Sequence, residues 1–205
     1  MPLPPLDPRR TAVVTIDMHR GHLDPEVATM PLPAEAAARV TAANVVLARA
    51  ARARQVPVVH VVTGYHAVSE IASNPWWAAV AGTDATRANV LNHQLPGSPG
   101  LQVMPDLLEE SDVVVTGKKR YDCFAATDLD HVLRSRGVET LLLTGVNTNS
   151  CVLATTVAAN TRDYAAVVVE DCVDTMDRSS HDAALRVIGT AFGWVAGLDE
   201  TVAAL

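Results

Sequence analysis

Short, uninterrupted runs of Val, Leu, Ile and Thr recur through the chain, and most give way to a segment whose apolar residues return at helical spacing. TAVVTI (11–16), VPVVHVVT (56–63), VVVT (113–116), TLLLT (140–144) and AVVV (166–169) are too apolar for strands with one wet face. They predict strands covered on both faces. Helices are expected over Pro33–Arg54, Thr127–Arg136, Cys151–Arg162 and Ser180–Gly189, with a terminal strand around Phe192–Val195. Alternation of this kind implies an α/β fold, a three-layer α/β/α arrangement with a Rossmann-like, mostly parallel sheet of about six strands. Hydrophobic residues make up 49% of the chain and aromatics only 4%, so its core must be Val, Ala, Leu and Ile rather than stacked rings. One domain over residues 1–205 is expected, with no internal repeat. Residues 64–105 break the alternation with repeated Gly and Pro, and so long an irregular excursion usually covers a site or an interface.

The formal charge of −7 repels a phosphate backbone and supplies no basic patch for nucleic acid or anionic lipid. No stretch reaches the roughly 18 apolar residues of a membrane helix, and the N-terminus has no apolar leader segment. A soluble, cytoplasmic protein with a small-molecule substrate is expected. Cys123, Cys151 and Cys172 are an odd number without a C-x-x-C pair, which argues against a disulfide framework and a zinc ribbon.

In a parallel sheet, ligands sit beyond the carboxyl ends of the strands. Three reactive residues fall there: Asp17 after TAVVTI, Lys118 after DVVVTG and Cys151 after TLLLTGVNTNS. Any one of them could be an ordinary polar strand terminator, but their joint placement points to a site. Cys151 also opens a predicted helix, where unpaired N–H groups and the helix dipole favour a thiolate. A thiolate beside a base and a cation can attack an amide carbonyl, form an acyl-enzyme and release it to water. The turn from Gly145 to Cys151 can aim main-chain N–H groups at the resulting oxyanion.

At these residues the sequence resembles the isochorismatase-like cysteine hydrolase family, which includes nicotinamidases, N-carbamoylsarcosine amidases, biuret and ureidoacrylate hydrolases, and isochorismatases proper. The matching stretches are VTIDM (14–18), KKRYDCF (118–124) leading to TDLD (127–130), TGVNTNSCV (144–152), AANTRDY (158–164) and VEDC (169–172). The resemblance implies the isochorismatase-like hydrolase fold and a catalytic triad of Asp17, Lys118 and Cys151, with Lys118 rather than Lys119 matching the family lysine. It further implies a cis peptide before Asn147, and an oxyanion hole made by the amides of Asn147 and Cys151. Asp122 and Cys123 stand where the family pattern has Ser-Ala, a departure read as a change in packing, with an altered pocket wall as the alternative.

Family isochorismatases that cleave an enol ether lack the cysteine, so Cys151 favours C–N cleavage. The GVNTNSC turn and Gly64-Tyr65 look most like the branch acting on carbamoyl and ureido compounds. Other amides (nicotinamide, maleamate, a lactam) remain alternatives, as do an isochorismatase activity and a non-catalytic binding protein of the same fold. His19, Arg120 and Asn149 are candidate substrate-binding residues, with capping or turn roles as their competing reading. The D-x-H metal motif of nicotinamidases is missing after the second strand, where THE segment TGYHAVSE (63–70) offers only His66, so neither metal nor other cofactor is expected. The resemblance implies a homodimer or homotetramer. Trp76 and Trp77 are read as interface residues, with a pocket lid as the alternative, and Cys123 and Cys172 as structural.

Overall fold

A computed structural model describes residues 2–83 and 88–205; positions 84–87 of the Gly/Pro-rich excursion lie outside the described residues. The strands are β1 (Thr11–Ile16), β2 (Val58–Thr63), β3 (Val113–Lys118), β4 (Thr140–Val146), β5 (Ala165–Asp174) and β6 (Trp194–Ala196). They form one six-stranded sheet in the order β3-β2-β1-β4-β5-β6, and every pairing is parallel. The α/β expectation therefore holds, and the sheet is wholly rather than mostly parallel.

The helices are α1 (Arg20–Leu23), α2 (Ala34–Ala53), α3 (Val68–Ala72), α4 (Pro75–Val80), α5 (Leu129–Arg134), α6 (Leu153–Asn160), α7 (Arg178–Ala191) and α8 (Leu198–Ala204). None among the described residues is long and apolar enough to cross a membrane. Strand alternation sorts the core into two layers. Val13 of β1 packs with α2 residues such as Val40 and Leu47 on one face. Ala12, Val14 and Ile16 pack with Leu129 and Leu133 of α5, Ala158 of α6 and Ile188 of α7 on the other.

α2 forms because Ala36, Ala37, Val40, Asn44, Leu47, Ala48 and Ala51 fall on one buried stripe at three- and four-residue spacing. It stops where Gln55 turns left-handed (φ 60°), so that Gln55 N donates to Arg52 O and Val56 N to Ala51 O. This is the paired closing bond pattern of a left-handed helix terminus. α8 was absent from the sequence expectation, and β3, β4 and β5 run further than their apolar cores. β3 includes Lys118 itself, and β5 continues to Asp174 through the polar residues Glu170 and Asp171. Ladder pairing extends a strand past its hydrophobic run wherever a neighbour is present.

Strand connections reverse direction between β1 and β4, and the cleft beyond their ends is where such sheets bind ligands. The excursion folds back over that cleft. His19 bridges to Val103, Met104 N donates to Met18 O, and Arg20 N donates to Gln102 O, which pins the excursion to the segment after β1. Met30, Tyr65, Ile71, Trp77 and Val90 make a small separate core beneath it.

Candidate active site

Parallel strands end at one rim, and four of these ends supply the site. Asp17 follows β1, Thr63 closes β2 and Lys118 closes β3, while Cys151 lies in the turn after β4. Lys118 is 2% exposed and Asp17 1%. All three ammonium protons have acceptors: Asp17 Oδ2 at 2.6 Å, Thr63 Oγ1 at 2.8 Å and Cys151 Sγ at 3.4 Å. Asp17 Oδ1 accepts from the Thr63 backbone N–H at 2.9 Å and its hydroxyl at 2.7 Å. The structure brings Asp17, Lys118 and Cys151 into contact, together with Thr63, which the sequence reading misses although it carries the same mark, a polar residue ending an apolar run.

Burial alone would raise the Asp17 carboxyl, but the Lys118 charge, with His19, His22 and the hydrogen bond from Lys118, holds it well below the ordinary carboxylate range. Burial likewise opposes the Lys118 charge, and Asp17, Cys151 and Cys123 overcome it, so the ammonium is held above its usual value. The two groups are an ion pair at neutral pH.

Backbone geometry at the rim is specific. Asp17 is left-handed (φ 52°), a conformation Asp tolerates better than most residues. Gly145 has φ 106°, and a Cβ there would sit 2.0 Å from Ile16 O, so only glycine lets β4 pass the end of β1. The Val146–Asn147 peptide is cis. Cys151 does not open an α-helix as expected. It lies in a wide turn, Thr148–Val152, in which Val152 N donates to Asn147 O five residues back at 3.2 Å, and α6 begins at Leu153. Such wide turns recur at functional sites.

Asp17, Lys118 and Cys151 face an inner cavity of about 20 Å³, walled by Thr63, Tyr65 and Trp77. It adjoins an outer cavity of about 490 Å³ that shares His22, Met30, Tyr121 and Asn147 and extends along Thr175 and Met176. Asp17, Lys118 and Cys151 thus sit at the bottom of a funnel suited to a small molecule.

The three candidate substrate-binding residues fare differently. Arg120 lines the inner cavity, but its guanidinium donates to Lys119 O, Glu70 O and Ser73 Oγ and lies over the Trp77 ring, 4.8 Å from the centroid. Those bonds tie it to the wall. Asn149 lines the outer cavity and not the inner one, its amide oxygen accepting from Thr175 Oγ1 at 2.9 Å. His19 does not line the inner cavity; it is fully buried behind Asp17, with Nε2 3.7 Å from Asp17 Oδ1. Chain direction explains the miss, since the residue two beyond a strand end turns under the rim as readily as over it.

Trp77 is a cavity wall, its Nε1 donating to Tyr121 Oη at 2.7 Å, while Trp76 beside it is 66% exposed. Helix α4 sends neighbouring side chains to opposite sides. His66 is on the surface and pairs with Glu70. All three cysteines are buried and outside any disulfide; Cys172 lies in the α2-side core, and burial pushes its thiol up to about 12. His19, His22 and His93 gather beside the triad, a cluster the sequence reading did not find because His93 lies 71 positions beyond His22. Burial, then the His22 imidazole, pushes His19 down to about 3 against the opposing pull of Asp17.

Residues 11–200 match the family model of the isochorismatase domain. The chain is 33% identical over 213 aligned positions to the ureidoacrylate amidohydrolase RutB of Methylobacterium radiotolerans, covering 98% of this chain and 81% of that protein. Among solved structures it resembles a cysteine hydrolase from Pseudomonas syringae pv. phaseolicola, with TM-score 0.84, 27% identity, and 100% and 97% coverage of the two chains. It also resembles an isochorismatase family protein from Burkholderia thailandensis, with TM-score 0.78, 33% identity, and 100% and 99% coverage.

Proposed function

The chain belongs to the isochorismatase family, and we propose that it is a cysteine-dependent amidohydrolase that cleaves the C–N bond of a small ureido or carbamoyl amide. The observation that carries this reading is the position of Lys118 Nζ, bonded at once to Asp17 Oδ2 and Cys151 Sγ in a buried site. A cation at 3.4 Å stabilises a thiolate, and the adjoining carboxylate can take the thiol proton. The likeness to a ureidoacrylate amidohydrolase supports the substrate class.

The steps follow from these roles. Asp17 accepts the Cys151 proton, and Sγ attacks the carbonyl carbon as the C=O pair moves to oxygen. The amides of Asn147 and Cys151 are the proposed donors to that oxyanion, each such donor typically supplying about 2.7–4 kcal/mol. Collapse expels nitrogen, which takes the proton from Asp17 and leaves as ammonia. Water then attacks the acyl-cysteine and gives its proton to Asp17, and Sγ departs and takes that proton back from Asp17 as the resting thiol. Lys118 stays charged throughout, holding Asp17 and the sulfur in place.

Ammonia release by wild type and Cys151→Ser, measured over biuret, N-carbamoyl amino acids, ureidoacrylate, maleamate and nicotinamide, tests the reading. Release from a ureido compound that the folded serine variant lacks is expected. Release from maleamate or nicotinamide alone would overturn the ureido assignment, and equal release by both proteins would overturn the cysteine mechanism.

A further inference from the structure

Three histidines from two separate segments meet under the catalytic cavity. His19 and His22 flank the start of α1, and His93 follows the short turn Val90–Asn92 in the excursion. All three are buried, and one ring nitrogen of each lies within 4.8 Å of the others. We propose that His19, His22 and His93 bind a first-row divalent transition metal, zinc in the first instance, with an open coordination position toward Asp17, Lys118 and Cys151.

The outer partners of the rings support this. His22 Nδ1 is 2.8 Å from Met30 O, and a carbonyl only accepts, so Nδ1 carries the proton and the lone pair of the neutral ring is on Nε2. His93 Nδ1 is 2.7 Å from Thr29 Oγ1. Ligand histidines are oriented by such bonds at the nitrogen remote from the metal. His19 is the anomaly: it is 0% exposed, and neither of its ring nitrogens has a hydrogen-bond partner among the described residues. Buried polar atoms left unmatched are rare in folded proteins, and a metal bond would satisfy one of them.

Packing holds the two segments together before any ion arrives. The Gln94 side chain fills the gap between Gly21 and Gly100, where a Cβ on either glycine would meet its Oε1 at 2.6 Å. Its Nε2 donates to Gly100 O at 2.8 Å. That wedge keeps His93 against His22, with ring centroids 4.6 Å apart.

An all-imidazole donor set suits zinc, copper, iron or nickel and not magnesium or calcium. Zinc–nitrogen bonds of about 2.0–2.1 Å place tetrahedral donors about 3.3 Å apart, so the cluster must contract on binding. His19, whose ring nitrogens have no hydrogen-bond partner among the described residues, is the ring least fixed in orientation. Three histidines with a fourth position open is the pattern of a site that also binds water or substrate. That His22 and His93 line the inner cavity with Cys151 directs the position at the reacting group. An electronegative substrate atom would bind there, a role that rests on the amidohydrolase reading, whereas the metal site itself does not.

The test uses the untagged full chain, stripped with a chelator and titrated with zinc by calorimetry and with cobalt by visible absorption. One ion per chain is expected, with the intense bands of a tetrahedral cobalt centre. His22→Gln and His93→Gln should each weaken binding by more than about 100-fold, beyond the 10–100-fold typical for losing an outer partner. Circular dichroism confirms that each variant is folded, and either variant alone suffices if the other is not. Cys151→Ser should bind as wild type does. Absence of binding by wild type, unchanged affinity in a folded histidine variant, or loss of binding in Cys151→Ser would each overturn the three-histidine assignment. No substrate enters these measurements, so they stand or fall apart from the ammonia-release assay.

Discussion

Lys118→Met leaves the Asp17 carboxylate buried with, among the described residues, the Thr63 N–H and hydroxyl as its hydrogen-bond donors. Asp17→Asn leaves the Lys118 ammonium buried with Thr63 Oγ1 and Cys151 Sγ. Asn is the fitting replacement because it accepts the left-handed backbone that position 17 requires. Breaking a buried ion pair from one side costs about 3–5 kcal/mol, since an uncompensated charge remains. The double variant strands neither charge and should cost no more than one single change, which gives a coupling energy of about 3 kcal/mol, the upper end for residues in contact. With a urea slope of about 2 kcal/mol/M, each single variant should lower the unfolding midpoint by about 1.5–2.5 M. Urea unfolding of the four proteins followed by circular dichroism measures the cycle. Strictly additive losses, or single changes costing under about 1 kcal/mol, would refute the view that this pair is a dry, mutually dependent unit.

Gly145→Ala forces a Cβ to 2.0 Å from Ile16 O at φ 106°, and we expect a loss of more than about 3 kcal/mol or no soluble protein; near wild-type stability in urea would show that β4 can move. Trp77→Phe removes the 2.7 Å bond to Tyr121 and should cost about 1 kcal/mol while raising KM more than it lowers kcat; an unchanged KM would remove Trp77 from the substrate wall. Asp112 accepts from Arg52, His60 Nε2 and Glu109 N, and these bonds hold its carboxyl below the ordinary value although burial pushes it up. Its stabilisation is therefore complete above about pH 4 and fades as pH falls through the lowered value in the folded state. Asp112→Asn should cost about 1.5–3 kcal/mol at neutral pH, with the difference from wild type shrinking toward pH 2; a pH-independent difference would contradict this. Trp76, 66% exposed, is the proposed subunit contact, so Trp76→Ser should shift a dimer or tetramer toward monomer in sedimentation, and an unchanged mass would exclude it.

Much of the molecule was legible before folding was considered. β1 was delimited residue for residue, because an apolar run closed by Asp17 carries both its own pattern and its own stop. Parallel topology then sends every strand end to one rim, so the meeting of Asp17, Lys118 and Cys151 required only the alternation of strands and helices. Helix α8, the polar extension of β5 and the wide turn around Cys151 escaped, since short elements and ladder extensions owe their existence to neighbours rather than to local pattern. Through-space selection decided the rest. Trp77 turned inward and Trp76 outward, Arg120 was tied to carbonyls of the wall, and Asn149 was left on the outer cavity. His93 was brought from the distant excursion against His19 and His22 by the Gln94 wedge. The sequence by itself determined the sheet and its reactive rim, because hydrophobic period and strand-ending residues are local properties. Which side chains surround that rim was decided only by tertiary structure, because contacts between the excursion and the first strand depend on packing across a gap that no local pattern encodes.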